Sequence, residues 1–278
     1  MNRQQLLLIG GLTLTGVALF VFGKKTALQT ESPSSEKLQQ TISAQSLILE
    51  ARNNLSPEAK KEAEKLDSLF KKATTDKDKT ASLVQIADLW DKNTQWGIAG
   101  LYYDSAAKIT ASSGLSALAG TRFLAAADMA QDSTLRPFLS ERALKALLKA
   151  TELAPEDLNV QAEYGNALAL LGDNPMAGIQ KLREITQKDS LHLKANFHLA
   201  QLSIRSSQFD KAINRFNLIN RHYPAFPDAW LGKGEAWYNL QNVPEALKAL
   251  ETYKALVKDP AVLQQVDAFM NQIKQSKP

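Results

Sequence analysis

The sequence predicts an all-α protein built as a solenoid of stacked helix–turn–helix pairs. Three observations carry that expectation. Small side chains recur every 34 or 35 residues, the composition favours helix, and the last segment has the unlike faces of a terminal cap.

The recurrence is the strongest of the three. Ala143, Gly178, Ala212 and Ala246 follow one another at intervals of 35, 34 and 34 residues. Four positions on stand Leu147, Leu182, Phe216 and Leu250, and three further stand Ala150, Ile185, Ile219 and Tyr253. Pro155, Ser190, Pro224 and Lys258 close the units at the same intervals. Ala, Leu, Lys, Gln and Glu outweigh β-branched residues, and with only Gly 13 and Pro 10 little interrupts a helix. No segment alternates in the strand manner, and no Asn-Gly or Asp-Gly hairpin occurs.

This pattern resembles the tetratricopeptide repeat (TPR), a 34-residue helix–turn–helix of the form W-x2-L-G-x2-Y, then A-x3-F, then P. The cleanest match is Leu83, Ile86, Ala87 and Trp90 followed by Ala99, Tyr103 and Ala106. Leu199, Ala200, Ala212, Phe216 and Pro224 form another unit; Trp230, Gly234, Trp237, Ala246 and Leu250 form a third. A fourth has Tyr164, Gly165, Leu168, Gly178 and Leu182, with one extra residue in its turn. Small residues in the first helix face small residues in the second and let two backbones approach, while Trp90, Tyr103, Phe216 and Trp237 fill the gaps between pairs. The resemblance covers about residues 80 to 275. It implies a right-handed solenoid over 80–260, with units at about 80–112, 113–157, 158–192, 193–226 and 227–260.

Two stretches depart from the pattern. Phe123 and Ala143 lie 20 residues apart where about 9 are expected, so a helix or turn is longer there. Residues 36–79 lack the motif and read as a repeat-like helical hairpin. Its first helix is marked by Leu38, Ile42, Leu49 and Leu55; its second starts at Ser56-Pro57-Glu58 and places Ala59, Ala63, Leu66, Leu69, Phe70 and Ala73 on one face. Residues 261–278 read as a capping helix and tail, with Val262, Leu263, Val266, Phe269, Met270 and Ile273 opposed to glutamines and Asp267.

At the other end, a leader over 1–5 precedes the uncharged run Leu6 to Gly23, which spans roughly 27 Å as a helix, close to a hydrocarbon core. Lys24 and Lys25 follow where a cleavage site wants small neutral residues, so residues 6–23 are expected to be an uncleaved transmembrane anchor. Residues 24–35 read as a linker. Positive charge is nearly balanced across the run, and the short leader favours a translocated body. The expectation is a single-pass inner-membrane protein, with a cytoplasm-facing adaptor as the alternative. Gly11 and Thr15 form a small-xxx-small pair, which alone does not establish self-association.

Composition excludes several chemistries. Without cysteine there is no disulfide, thiolate metal site or Cys nucleophile. The net charge of +4 comes without a basic block, which argues against nucleic acid as partner. No HExxH, Walker-type loop or G-x-S-x-G is present, and His192, His198 and His222 stand in no metal-binding spacing. No cofactor, metal or catalytic group is expected, and the protein reads as a non-enzyme.

What the resemblance implies instead is a peptide- or protein-binding groove lined by first helices. Its slots hold Asn159, Glu163 and Asn166; Lys194, His198, Gln201 and Arg205; and Glu235, Tyr238 and Asn239. The second set follows spacings of 4, 3 and 4, which puts it on one face of a helix, suited to backbone amides or an acidic side chain. The plainer alternative is a set of solvated helix residues. The two-carboxylate clamp of chaperone-binding members is absent: Asn166 fits, but its other slots hold Ala162, His198, Asp228 and Gly232. In layout, the chain is similar to envelope members of the family with one anchor. These are the chaperone-like ancillary subunit of the Sec translocon and, as runner-up, the cytochrome c maturation factor that captures apocytochrome.

Overall fold

Most helices start at a polar side chain that supplies the hydrogen bond their first turn lacks. In the computed structural model, which describes residues 43–275, Ser43, Ser56, Thr75, Ser112, Asp157 and Asn242 accept from backbone N–H groups of the turn that follows. His192 does the same with Nδ1, taking the Ala195 N–H at 3.2 Å. Thirteen helices and no strand result among the described residues. The leader, the apolar run 6–23, the linker, Leu38 and Ile42 lie outside them. No helix among the described residues is long and apolar enough to cross a membrane.

The described chain falls into two compact units, 43–178 and 179–275. The first holds α1 (Ala44–Asn53), α2 (Pro57–Lys72), α3 (Asp76–Lys92), α4 (Trp96–Thr110), α5 (Ser113–Met129), α6 (Leu135–Leu153), α7 (Leu158–Leu171) and the start of α8 (Pro175–Lys188). From α2 to α7 each helix packs on the next, around Ile86, Trp90, Phe123 and Leu147. Ala87 and Ala99 have no exposed surface, as close helix approach requires. A side chain on Gly178 would collide with the Gly165 carbonyl and stand 2.9 Å from Ala169 Cα, so α7 and α8 touch through backbone. The 20 residues between Phe123 and Ala143 lengthen both helices: α5 has 17 residues and α6 has 19, against 13 or 14 in α7 to α12.

A buried ionic network crosses this unit. Arg122 on α5, 5% exposed, donates from Nε to both Asp91 oxygens of α3 at 2.5 and 2.7 Å. Tyr103 on α4 donates its hydroxyl to Asp88 at 2.6 Å, and burial followed by these carboxylates pushes that phenol above its usual range.

Two sequence expectations near the start need correction. Leu49 is 65% exposed and Leu69 is 44% exposed. Both fit a helical stripe, but only Ala59, Ala63 and Leu66 of α2 are buried; a lone hairpin at a stack's edge has too few neighbours to cover its whole apolar face.

The second unit holds the rest of α8, then α9 (Leu193–Arg205), α10 (Phe209–His222), α11 (Pro227–Asn239), α12 (Val243–Leu256) and α13 (Pro260–Gln275). Phe197 and Phe226 meet edge to face at 5.3 Å around Phe216. Phe216 in turn lies under Gly232, where a Cβ would stand 2.9 Å and 3.0 Å from its Cε atoms. Helix α13 closes the stack with Val266, Phe269, Met270 and Ile273 inward and its glutamines outward.

Three turns repeat one geometry. Thr94, Ser207 and Gln241 have φ near 58°, and the next residue's N–H reaches back to the carbonyl of Trp90, Ser203 or Trp237 at 2.8 to 2.9 Å. None is glycine, so each turn carries strain of about 1 kcal/mol. The turn of α7 and α8, with its extra residue, has no positive φ and instead bonds the Gly172 N–H to the Leu168 carbonyl.

Candidate binding surface

The expected groove residues sit on the first helices α7, α9 and α11, but not all are on open surface. In the first unit Asn159 is exposed, Glu163 half-buried and Asn166 buried. In the second, Arg205 is exposed, Lys194 and Gln201 are half-buried, and His198 is 9% exposed. The expectation that Lys194, His198, Gln201 and Arg205 share a face unused by packing therefore fails at His198. A first helix inside a stack is covered from both flanks, so its open stripe is narrower than helical spacing implies.

Helices α9 and α11 pack against each other, which sets Lys194, Gln201 and Arg205 beside the helix that bears Glu235, Tyr238 and Asn239. Those three are half-buried. Tyr238 leans edge-on against Phe269 of α13 at 5.5 Å, so the cap takes one side of its ring. Asn239 donates to the Glu235 carbonyl at 2.9 Å.

The electrostatics of α11 arise from burial that its sequence alone does not signal. Asp228 lies two turns before Glu235 on the same helix and is 3% exposed. Burial pushes both carboxyls up to about 7. Tyr253, behind them, is pushed up to about 12 by burial and then by the Asp228 charge. Asp228 stands in the first turn of α11, where the helix dipole favours an acid. Its burial follows from neighbours that only the fold supplies.

Among the described residues no group of three or more His, Asp or Glu is arranged to hold a metal. A cleft of about 370 Å³ opens elsewhere in the second unit, between α8, α9 and α10. Its signal in the sequence is Asn196 and Ser203, polar residues at positions where the repeat wants bulk.

Within each unit the helices run as successive antiparallel hairpins that approach closely at small residues, Gly178 against Gly165 in the first and Gly234 near the Ala246 carbonyl in the second, as in an α-solenoid. Residues 197–260 match the tetratricopeptide repeat family model. A tetratricopeptide repeat protein from Parabacteroides merdae has a similar fold, with a TM-score of 0.54 at 15% identity, over 83% of this chain and 86% of that one. TTC0263, a thermophilic tetratricopeptide repeat protein of Thermus thermophilus, aligns with a TM-score of 0.50 at 18% identity, over 70% of this chain and all of its own. No curated protein matches the sequence.

Proposed function

We propose that the protein is a scaffold that binds an extended segment of another protein along the first-helix face of α9 and α11. The observation that carries this reading is the direct packing of α9 on α11. It lines up cationic and amide side chains, Lys194, Gln201 and Arg205, with a helix that offers Glu235, Tyr238 and Asn239. Extended peptides need donors and acceptors at short intervals, and acidic side chains favour guanidinium or ammonium partners. Half-buried polar groups suit this role because part of their desolvation is already complete before binding.

The uncharged run at 6–23 supports a tether, with the repeats holding partners at an envelope membrane in a chaperone-like or assembly role. Alkaline phosphatase fused after Pro278 reports that orientation: an active fusion agrees with a translocated body, and an inactive one places the repeats on the cytoplasmic side.

Lys194→Glu combined with Arg205→Glu tests the binding face itself. Partner capture from solubilised membranes is expected to be lost while helicity and thermal midpoint stay within error. Capture at the wild-type level would refute the assignment.

A further inference from the structure

The cleft between α8, α9 and α10 has a cause in the repeat pattern. In a tetratricopeptide unit two large residues, seven apart on the first helix, occupy the W and Y slots of the motif. Those positions hold Leu83 and Trp90 in α3, Gln161 and Leu168 in α7, and Trp230 and Trp237 in α11. In α9 they hold Asn196 and Ser203. Volume that packing normally consumes is left open, and both residues line the cleft.

What surrounds this space is cationic and aliphatic together. Arg183, Lys211 and Arg215 stand around it, Leu199 and Leu218 line it, and no acidic residue is among its walls. Asn196 fixes one guanidinium. Its Nδ2 donates to the Ser190 and His192 carbonyls at 3.0 Å each, which leaves Oδ1 to accept from Arg215 Nη1 at 2.9 Å. Neither arginine pairs with a carboxylate of any described residue, and Lys211 donates to the neutral Gln208 amide. Burial, and then the Arg183 charge, lower the pKa of Arg215. Two guanidiniums close enough to disfavour each other, with donors to spare, suit an anion.

We propose that this cleft binds a carboxylate carried beside an aliphatic group, as presented by an acidic or C-terminal peptide segment. The carboxylate is bridged by Arg183 and Arg215 with Lys211 near, and the aliphatic group rests on Leu199 and Leu218. This site shares no side chain with the α9–α11 face, so the two succeed or fail separately.

Isothermal titration of the full chain tests it with two peptide pairs: Ac-Leu-Leu with a free carboxylate against its amide, and Ac-Leu-Glu-Leu-amide against Ac-Leu-Gln-Leu-amide. At least one carboxylate peptide is expected to bind ten times more tightly than its neutral partner, and which one does so distinguishes chain terminus from acidic side chain. Ser203→Tyr, which restores the bulk of the repeat pattern, is expected to abolish that binding with helicity retained. The exposed pair Arg183→Gln and Lys211→Gln should weaken it at least tenfold and does not depend on whether Ser203→Tyr folds. Lys194→Glu with Arg205→Glu should leave it unchanged. Equal affinity within both pairs, or wild-type affinity in the Arg183 and Lys211 double variant, overturns the proposal.

Discussion

Phe216 of α10 occupies the space that a side chain on Gly232 of α11 would need. The ring is fully buried, and its Cε atoms lie 2.9 Å and 3.0 Å from where the Cβ would stand. One hairpin is thereby keyed into the next by a large residue meeting the absence of one. The same device joins α4 to α5, where a Cβ on Gly100 would be 2.8 Å from two ring carbons of Phe123.

Gly232→Ala should therefore destabilise by about 1–3 kcal/mol, since the ring must leave its position to admit a methyl group. Gly114→Ala is the matched control: its nearest contact is at 3.9 Å, so the gain in helix propensity should stabilise by up to about 1 kcal/mol. Urea unfolding followed by circular dichroism separates the two. Destabilisation of equal size in both would contradict the keyed contact.

The Arg122–Asp91 pair gives a second expectation. Either Arg122→Met or Asp91→Asn leaves the other group buried without its partner, at a cost of about 3–5 kcal/mol. Replacing both, as Arg122→Met with Asp91→Leu, should recover much of that loss, because the desolvation of two charges disappears with their attraction. A double-mutant cycle on unfolding free energies measures it. Additive single-variant effects would show that the groups do not act together.

Asp228 makes stability depend on pH in the less common direction. Its folded carboxyl holds a proton up to about 7, whereas the unfolded one releases it near 3.8. The folded state therefore binds the extra proton between these values, and stability falls as pH rises through that window. Asp228→Asn should stabilise more at pH 8 than at pH 5, by about 2 kcal/mol. The attraction of a first-turn acid for the helix dipole offsets part of this gain. Paired unfolding curves at the two pH values check it, and a pH-independent difference would refute it.

The fold was legible wherever it rests on size alone. Ala87, Ala200, Ala212 and Ala246 recur because two backbones must approach, and all four are fully buried. Burial that depends on a neighbouring hairpin was not legible. His198 and Asn166 obey the spacing of an open stripe yet are covered, and Leu49 obeys the spacing of a buried one yet is exposed. The cleft beside Arg215 was hidden for a different reason. It arises from missing bulk at Asn196 and Ser203, and an absence shows only once the register of the repeats is fixed. Ser207 and Gln241, in the left-handed region without being glycine, likewise carried no turn signal in sequence.

Site-specific photo-crosslinking in cells tests the binding face most directly. A crosslinking residue placed at Gln201 or Glu235 should trap a protein partner, whereas one at the exposed Lys248 of α12 should not. Equal trapping from Lys248, or none from Gln201 and Glu235 in a folded protein, would contradict a partner seated along α9 and α11.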